Sequence, residues 1–333
     1  MGPLYPLLML PRFDPRPWGT QDLSPIYPNH KFETRIGESW LSGDECQVAN
    51  GPLTGKSLAQ LSRQYERALV GEAARDPHRF PLLLKFLFPH EKLSVQVHPD
   101  DAQALRVGEP WGKTECWYVA HARPGSQIGL GLKPGVTVAQ LEQAIQNQTA
   151  EDLLNWINVY AGDMIYVAGG TVHTLGPGSV IVETQQQSDM TYRLYDYGRP
   201  RELHLKDGLA AVKVNAKSGK VVRPAPAQIA GGTSRLERLI ASPYFVVEMF
   251  TAKDPLDFSL RDNSGKSSAQ ILVAVEGCGA VEVPGTNTVT FAKGDAVVVP
   301  ACVEFFRVRP QWSVEFLRAY VPGNTLPEPE TRM

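Results

Sequence analysis

Alternating apolar and polar residues dominate the chain and predict a protein built mainly of β-strands. Each strand-like run is short, rich in Val, Ile or aromatic residues, and bounded by Gly or Pro, as is typical of strands. One group of runs precedes residue 200 and a second group follows residue 240. The runs lie at 81–88, 93–98, 112–119, 159–168, 180–187, 190–197, 245–250, 269–275, 289–291 and 295–300.

A few stretches have helical spacing of apolar residues instead. The two longer ones begin with the Ser/Thr-x-x-Gln pattern of a capping box, Ser57 with Gln60 and Thr137 with Gln140. We expect these helical segments to be inserted in, or packed on, the N-terminal part of the β structure. The predicted helical regions are 57–74, 100–106, 138–158 and 202–212.

An internal repeat divides the chain. The run Lys293-Gly-Asp-Ala-Val-Val-Val-Pro300 follows the same pattern as Ala161-Gly-Asp-Met-Ile-Tyr-Val-Ala168, which predicts two related β-barrels. No histidine occurs after His204, so we expect no comparable metal site in the second barrel. The predicted parts are an N-terminal barrel with the helical insertions, a C-terminal metal-free barrel and a tail, at 1–235, 236–323 and 324–333.

Composition narrows the class of protein. A hydrophobic content of 43% and a charged content of 20% are ordinary for a soluble globular protein. The net charge of -2 argues against a nucleic-acid-binding protein, and no apolar run is long enough to span a membrane. The apolar start lacks the basic region of a signal peptide, and the four cysteines form no CxxC pair. We therefore expect a cytoplasmic protein, monomeric or homodimeric.

Potential metal ligands occur in three of the runs. In Leu93-Ser-Val-Gln-Val-His-Pro-Asp-Asp101, strand alternation places Gln96 and His98 on one face. Glu115 lies in the next strand, and His173 lies between two glycine-rich turns. Two imidazoles, a carboxylate and an amide oxygen suit borderline divalent ions such as Zn, Fe, Mn, Co or Ni.

Further charged residues accompany this set. Lys113 shares its strand face with Glu115, and Glu183 points to the face opposite Val180 and Val182. Arg193 lies in the 190–197 run. A lysine and an arginine near a metal indicate an anionic substrate, because a guanidinium binds a phosphate through two parallel hydrogen bonds.

These motifs resemble a known family. The stretches 93–101, 112–118 and 183–197 closely resemble type I mannose-6-phosphate isomerases of the shorter bacterial form, and the resemblance covers most of residues 15–322. It implies a fold of two cupin-like (jelly-roll) β-barrels and an enzyme that interconverts mannose 6-phosphate and fructose 6-phosphate with one Zn²⁺ per chain. It also implies that His98, Glu115 and His173 bind the metal, with Gln96 contributing.

The same resemblance matches Arg193 to the family's catalytic arginine and Lys113 to the lysine near the metal-binding glutamate. Isomerisation through an enediol needs a general base, for which Glu183 is our candidate; a supporting role beside the metal is the alternative. Two other functions remain open. A two-His, one-carboxylate set also suits an Fe(II) oxygenase, and the fold itself allows a sugar-phosphate sensor without turnover.

Overall fold

A computed structural model describes residues 3–333 and has the predicted mainly β architecture. The strands are β1 (Leu7–Leu10), β2 (Arg12–Thr20), β3 (Ile36–Trp40), β4 (Gln47–Val48), β5 (Leu82–Leu87), β6 (Val95–Val97), β7 (Glu115–Ala122), β8 (Gln127–Leu132), β9 (Leu154–Asn158), β10 (Met164–Val167), β11 (His173–Leu175), β12 (Ser179–Gln186), β13 (Tyr192–Tyr195), β14 (Gly219–Val221), β15 (Ala227–Gln228), β16 (Arg235–Ala241), β17 (Val246–Ala252), β18 (Leu256–Ser259), β19 (Gln270–Glu282), β20 (Val289–Ala292), β21 (Ala296–Val299), β22 (Phe305–Tyr320) and β23 (Thr331–Arg332). The helices are α1 (Leu58–Tyr65), α2 (Arg67–Val70), α3 (Asp101–Arg106), α4 (Val138–Gln146) and α5 (Leu205–Ala211), with 3₁₀ turns at Gly51–Leu53 and Ala150–Leu153.

The strands pair antiparallel in three sheets, which form two cupin-like barrels. The N-terminal barrel consists of an eight-stranded sheet, β2-β3-β5-β12-β7-β10-β14-β23, and a five-stranded sheet, β13-β6-β11-β8-β9. The C-terminal barrel is a ten-stranded sheet in the order β15-β16-β17-β22-β19-β21-β1-β4, with β18 paired to β22 and β20 to β19. Each barrel has its own apolar interior.

A further apolar cluster joins the two barrels. It includes Leu7 and Val298 from the ten-stranded sheet and Phe86 and Val182 from the eight-stranded sheet, all buried. At about 25 cal/mol per Å² of buried apolar surface, such an interface contributes substantially to stability. The barrels therefore pack directly on each other.

The chain ends cross between the barrels. The first strand, β1, pairs with β21 of the C-terminal barrel, and β23 pairs with β14 of the N-terminal barrel. The boundaries at residues 235 and 323 stay a prediction, but the sheets exchange strands across them.

Two helical predictions need correction, although both capping boxes form as expected. The 57–74 helix breaks at Glu66, whose φ of 47° is not helical, and ends at Val70. Residues 154–158 form strand β9 instead of helix, because their backbone pairs with β8, where Ile157 lies opposite Ile128. Among residues 3–333, none of the helices has the length and apolar character that crossing a membrane requires.

Candidate metal centre and active site

Strand register brings the predicted site residues together. Across the five-stranded sheet, Arg193 lies opposite Gln96, and Gln96 lies opposite His173. Directly opposed residues of neighbouring strands project to the same face, with Cβ atoms about 4.5–5.5 Å apart. Glu115 begins β7 of the eight-stranded sheet and completes the cluster from the other side of the barrel.

His98, Glu115 and His173 form a compact triad. One potential ligand atom from each lies within 4.8 Å of the others. The Nε2 atom of His98 is 3.5 Å from Oε2 of Glu115, and Nε2 of His173 is 3.4 Å from Oε1. All three side chains are buried. The spacing allows one ion to contact all three at ordinary metal–ligand distances.

Both imidazoles are held in the orientation that metal binding requires. Nδ1 of His98 lies 3.0 Å from the Met190 carbonyl, and Nδ1 of His173 lies 2.9 Å from the Thr171 carbonyl. An N–H donated to a carbonyl leaves the lone pair on Nε2, which faces Glu115. Burial, together with Lys113, lowers the pKa of His173 to about 4 and that of His98 well below its usual value. Both rings are therefore neutral near pH 7.

The environment of the Glu115 carboxylate is the observation that most favours a cation site. Neither of its buried oxygens accepts a hydrogen bond from residues 3–333. Burial, and then the negative charge of Glu183, raise the pKa of Glu115 well above its usual value. Burying a carboxylate without hydrogen bonds is costly. The two neutral imidazoles and this carboxylate therefore fit a divalent metal ion.

The side chain of Gln96 lies next to the potential ligand atoms of the triad. Its Nε2 lies 3.2 Å from Nε2 of His173, and Ser94 Oγ lies 3.4 Å from its Oε1. The oxygen and nitrogen of an amide exchange places by a flip of the group. Such a flip turns Oε1 of Gln96 toward the triad, as a fourth ligand requires.

Lys113 is buried beside the triad. Its ammonium nitrogen lies 3.2 Å from Nε2 of His98 and 3.7 Å from Oε2 of Glu115. Its positive charge lies close enough to the triad to interact with an anionic group bound there.

Arg193 lies partly exposed at the edge of the cluster. Its Nη1 donates to the Glu202 carbonyl at 2.7 Å, whereas its buried Nε has no partner in the described part of the chain. His204 supports the strand by accepting the Arg193 backbone N–H through Nδ1 at 3.1 Å. Burial, and then Arg201, lower the pKa of Arg193. A spare guanidinium donor next to other cations favours an anionic ligand.

Glu183 belongs to a buried chain of charges. Its Oε1 accepts a hydrogen bond from Trp117 Nε1 at 3.0 Å, and Lys85 Nζ lies 3.0 Å from its Oε2. Burial opposes ionisation, but Lys85 and Lys113 outweigh it and lower the pKa of Glu183. The pairing shows that Glu183 is a buried, ionised carboxylate.

Lys85, Glu38 and Arg16 extend this chain, and the sequence interpretation missed them. Lys85 Nζ lies 3.6 Å from Glu38, whose carboxylate accepts from Arg16 Nε at 3.0 Å and from Trp40 Nε1 at 2.7 Å. A signal was present: Lys85 interrupts an apolar strand, where an unpaired charge is costly. Its two acidic partners come from other strands, so no local pattern could identify them.

Comparisons with known proteins agree with this geometry. Residues 21–111 match the family model of the phosphomannose isomerase type I catalytic domain. The mannose-6-phosphate isomerase of Streptococcus mutans is 32% identical over 310 residues, which cover 90% of this chain and 93% of that protein. The isomerase ManA of Bacillus subtilis is 38% identical over 220 residues, or 63% of this chain and 68% of ManA.

Among solved structures, the mannose 6-phosphate isomerase of Bacillus subtilis superposes with a TM-score of 0.83. It is 30% identical, and the match covers 94% of this chain and 99% of that one. The matches thus cover nine tenths or more of this chain both in sequence and in structure. The chain therefore belongs to the type I mannose-6-phosphate isomerase family.

Proposed function

We propose that the chain interconverts D-mannose 6-phosphate and D-fructose 6-phosphate through an enediol, with one Zn²⁺ bound by His98, Glu115 and His173 and with Gln96 as a fourth ligand. The observation that carries this proposal is the buried Glu115 carboxylate, without a hydrogen bond, beside two neutral imidazoles. When bound, Zn²⁺ supplies Lewis-acid stabilisation of the negative charge on the sugar oxygens.

The two cations of the site share the recognition of an anionic substrate. Lys113 is buried against the triad, so its ammonium group donates to an oxyanion at the reacting carbons. Arg193 lies farther out, with a donor to spare, and binds either the enediolate or the phosphate. Preorganised donors in a site that excludes water need little rearrangement as charge develops.

The contacts of Glu183 fit a residue that positions its neighbours better than they fit a general base. Its Oε1 accepts a hydrogen bond from Trp117, and its Oε2 forms an ion pair with Lys85. The indole of Trp117 packs edge-on against His173 with ring centroids 5.4 Å apart. We propose that Glu183 fixes Trp117 and thereby the orientation of His173. A general base instead needs a lone pair within reach of the substrate proton.

The two roles of Glu183 predict different kinetics for Glu183→Gln. Loss of a general base lowers kcat by roughly 10²–10⁴-fold at unchanged metal content. Loss of a supporting contact weakens metal binding as well, typically by about 10–100-fold. We expect the second pattern, to be checked by measuring kcat and zinc affinity on the same preparation.

Turnover of mannose 6-phosphate without oxygen tests the function. We expect fructose 6-phosphate to form anaerobically, to stop forming after chelation and to form again when zinc is returned. Oxygen uptake with iron, in the absence of isomerisation, would identify an oxygenase instead. Sugar-phosphate binding without turnover by the zinc-loaded protein would identify a sensor.

A further inference from the structure

A cavity of about 700 Å³ opens in the C-terminal barrel, away from the metal centre. Its polar lining includes the buried side chains of Glu248 and Gln270, together with Arg318 and Tyr320. This volume is within the range of about 300–1,000 Å³ that small-molecule sites occupy. We propose that the cavity is a second binding site, for a small organic oxyanion that carries a carboxylate or a phosphate.

The cavity occupies the place in the second barrel that the metal centre has in the first. The repeated runs 161–168 and 293–300 align Val167 with Val299. Val167 pairs with the proposed metal ligand Glu115, and Val299 pairs with Gln270. Gln270 therefore stands where Glu115 stands, and an uncharged amide replaces the carboxylate.

The two barrels also correspond at the neighbouring strands, but there the acidic and basic residues have exchanged positions. In the N-terminal barrel, Trp117 lies opposite Glu183, and Glu183 lies opposite Lys85. In the C-terminal barrel, Leu272 lies opposite Arg318, and Arg318 lies opposite Glu248. The acidic position next to the centre has become a guanidinium. The second cavity is therefore suited to an anion instead of a cation.

Arg318 is held in place by its surroundings. Its guanidinium carbon lies 4.9 Å from the ring centroid of Phe258 and 5.3 Å from those of Phe250 and Tyr320. Nε and Nη2 both donate to Oε2 of Glu248, the former at 3.1 Å. Stacking on aromatic rings and pairing with a carboxylate fix the plane of the guanidinium.

Arg318 keeps donors for a ligand. Besides the two bonds to Glu248, Nη1 donates to Oε1 of Gln270 at 3.3 Å. A guanidinium has five N–H groups, so two, one on each Nη, have no partner in residues 3–333. Two N–H groups on the two Nη atoms match the oxygens of a carboxylate or a phosphate.

The charges around Glu248 favour an anion at Arg318. Glu248 pairs with Arg318 and with the more exposed Arg238, which leaves one net positive charge around this carboxylate. The other three carboxylates of the cavity lining have partners of their own: Asp254 accepts from Thr233, Asp257 pairs with Arg307, and Asp262 accepts from the Gly323 backbone N–H. The positive charge beside Glu248 is therefore available to an oxyanion bound at Arg318.

Calorimetric titration of the zinc-loaded full chain with two probes tests the proposal. Inorganic phosphate tests for a phosphate site, and gluconate tests for a carboxylate that carries hydroxyl groups. Gln270→Glu places a carboxylate of the chain beside the spare Arg318 donors, and we expect it to weaken binding at least about tenfold, as for loss of a charged hydrogen bond. Gln270→Met is the control of similar size, and Arg193→Ala removes the cation of the first site.

Saturable binding of either probe that persists in Arg193→Ala and Gln270→Met, but not in Gln270→Glu, supports the second site, and the probe that binds identifies its chemistry. The proposal is overturned if neither probe binds. It is also overturned if binding disappears in Arg193→Ala, or if Gln270→Glu binds as wild type does. Unfolding temperatures and zinc content of each variant establish that all four proteins are folded.

Discussion

At the scale of single residues, the most consequential feature is the buried lysine between two glutamates. Lys85 is 4% exposed and lies between Glu38 and Glu183. A buried pair stabilises a fold little more than apolar residues of the same volume, but removing one member leaves an uncompensated charge. Lys85 is thus needed to compensate the buried charges of Glu38 and Glu183.

Replacing Lys85 tests this dependence. We expect Lys85→Met to lower the free energy of unfolding by about 3–5 kcal/mol, because two carboxylates lose their shared cation. Urea unfolding measures the change. Lys217→Met, at an exposed lysine, is the matched control and should change stability by less than about 0.5 kcal/mol. Equal effects of the two substitutions would contradict the expectation that Lys85 compensates two buried carboxylates.

The carboxylate of Glu38 adds a pH dependence. Burial opposes its ionisation, but Lys85 and Arg16 lower its pKa to about 2. A lowered folded-state pKa contributes stability that is complete above the unfolded value near 4.5 and is lost as the pH falls toward 2. We therefore expect Glu38→Gln to destabilise by about 3 kcal/mol at pH 6 and by progressively less below pH 4. A constant difference from pH 6 to pH 3, in urea unfolding curves of both proteins, would refute this.

The triad carboxylate gives the sharpest functional prediction. Glu115→Gln keeps the size of the side chain but removes the charge that a divalent cation needs, so we expect zinc content and turnover to fall at least about 100-fold. Metal analysis and a coupled assay measure both. Glu142→Gln, at an exposed glutamate, should match wild type. If the wild-type protein shows no turnover and Glu115→Gln binds the sugar phosphate as tightly as wild type does, the protein is a sensor.

At the scale of elements, strand register and helix caps decide where side chains lie. One row across the five-stranded sheet aligns Arg193, Gln96 and His173, and a slip by one residue would turn all three away from the site. The residues proposed for the site all lie outside the helices, whose ends are well defined. Reciprocal side-chain bonds cap α1 and α4.

Removing a cap should have a small, local effect. Ser57 Oγ accepts from the backbone of Gln60 at 3.2 Å, and Gln60 Oε1 accepts from the backbone of Ser57 at 3.0 Å. We expect Ser57→Ala to cost about 1 kcal/mol of stability in urea unfolding, with zinc content unchanged. A loss of zinc would show that α1 affects the site.

At the scale of the whole molecule, the two ends of the chain tie the barrels together. The segment before β23 places Glu328 in hydrogen-bonding contact with the buried Tyr166, and Val222 N donates to Glu330 O at 2.9 Å. The end of the predicted tail, Thr331–Arg332, is thus part of the eight-stranded sheet. The tail contacts both barrels, because Asn324 and Leu326 still line the cavity of the C-terminal barrel.

Deleting residues 324–333 tests this crossing. We expect the unfolding temperature to fall by about 2–4 °C for each kcal/mol of lost contact, because β14 loses one of its two neighbouring strands and Tyr166 loses a partner. Differential scanning calorimetry with metal bound measures the change. An unchanged unfolding temperature would show that the segment contributes nothing to the fold.

The sequence by itself determined the elements and the chemistry of the candidate site. Period-two alternation located the strands that carry Glu115 and Arg193 and the strand that ends just before His98. Capping boxes located the starts of α1 and α4. These signals depend on neighbouring residues alone. The repeat of 161–168 at 293–300 also indicated the second barrel.

Only the tertiary structure decided features that depend on distant partners. Residues 154–158 became a strand because β8 offers an unpaired edge, which outweighs local helical spacing. Lys85 pairs with Glu38 and Glu183 on neighbouring strands. The strands β1 and β23 pair with β21 and β14, which are distant from them in sequence. Such pairings join residues that are far apart in sequence. The local sequence around each residue therefore contains no pattern that predicts them.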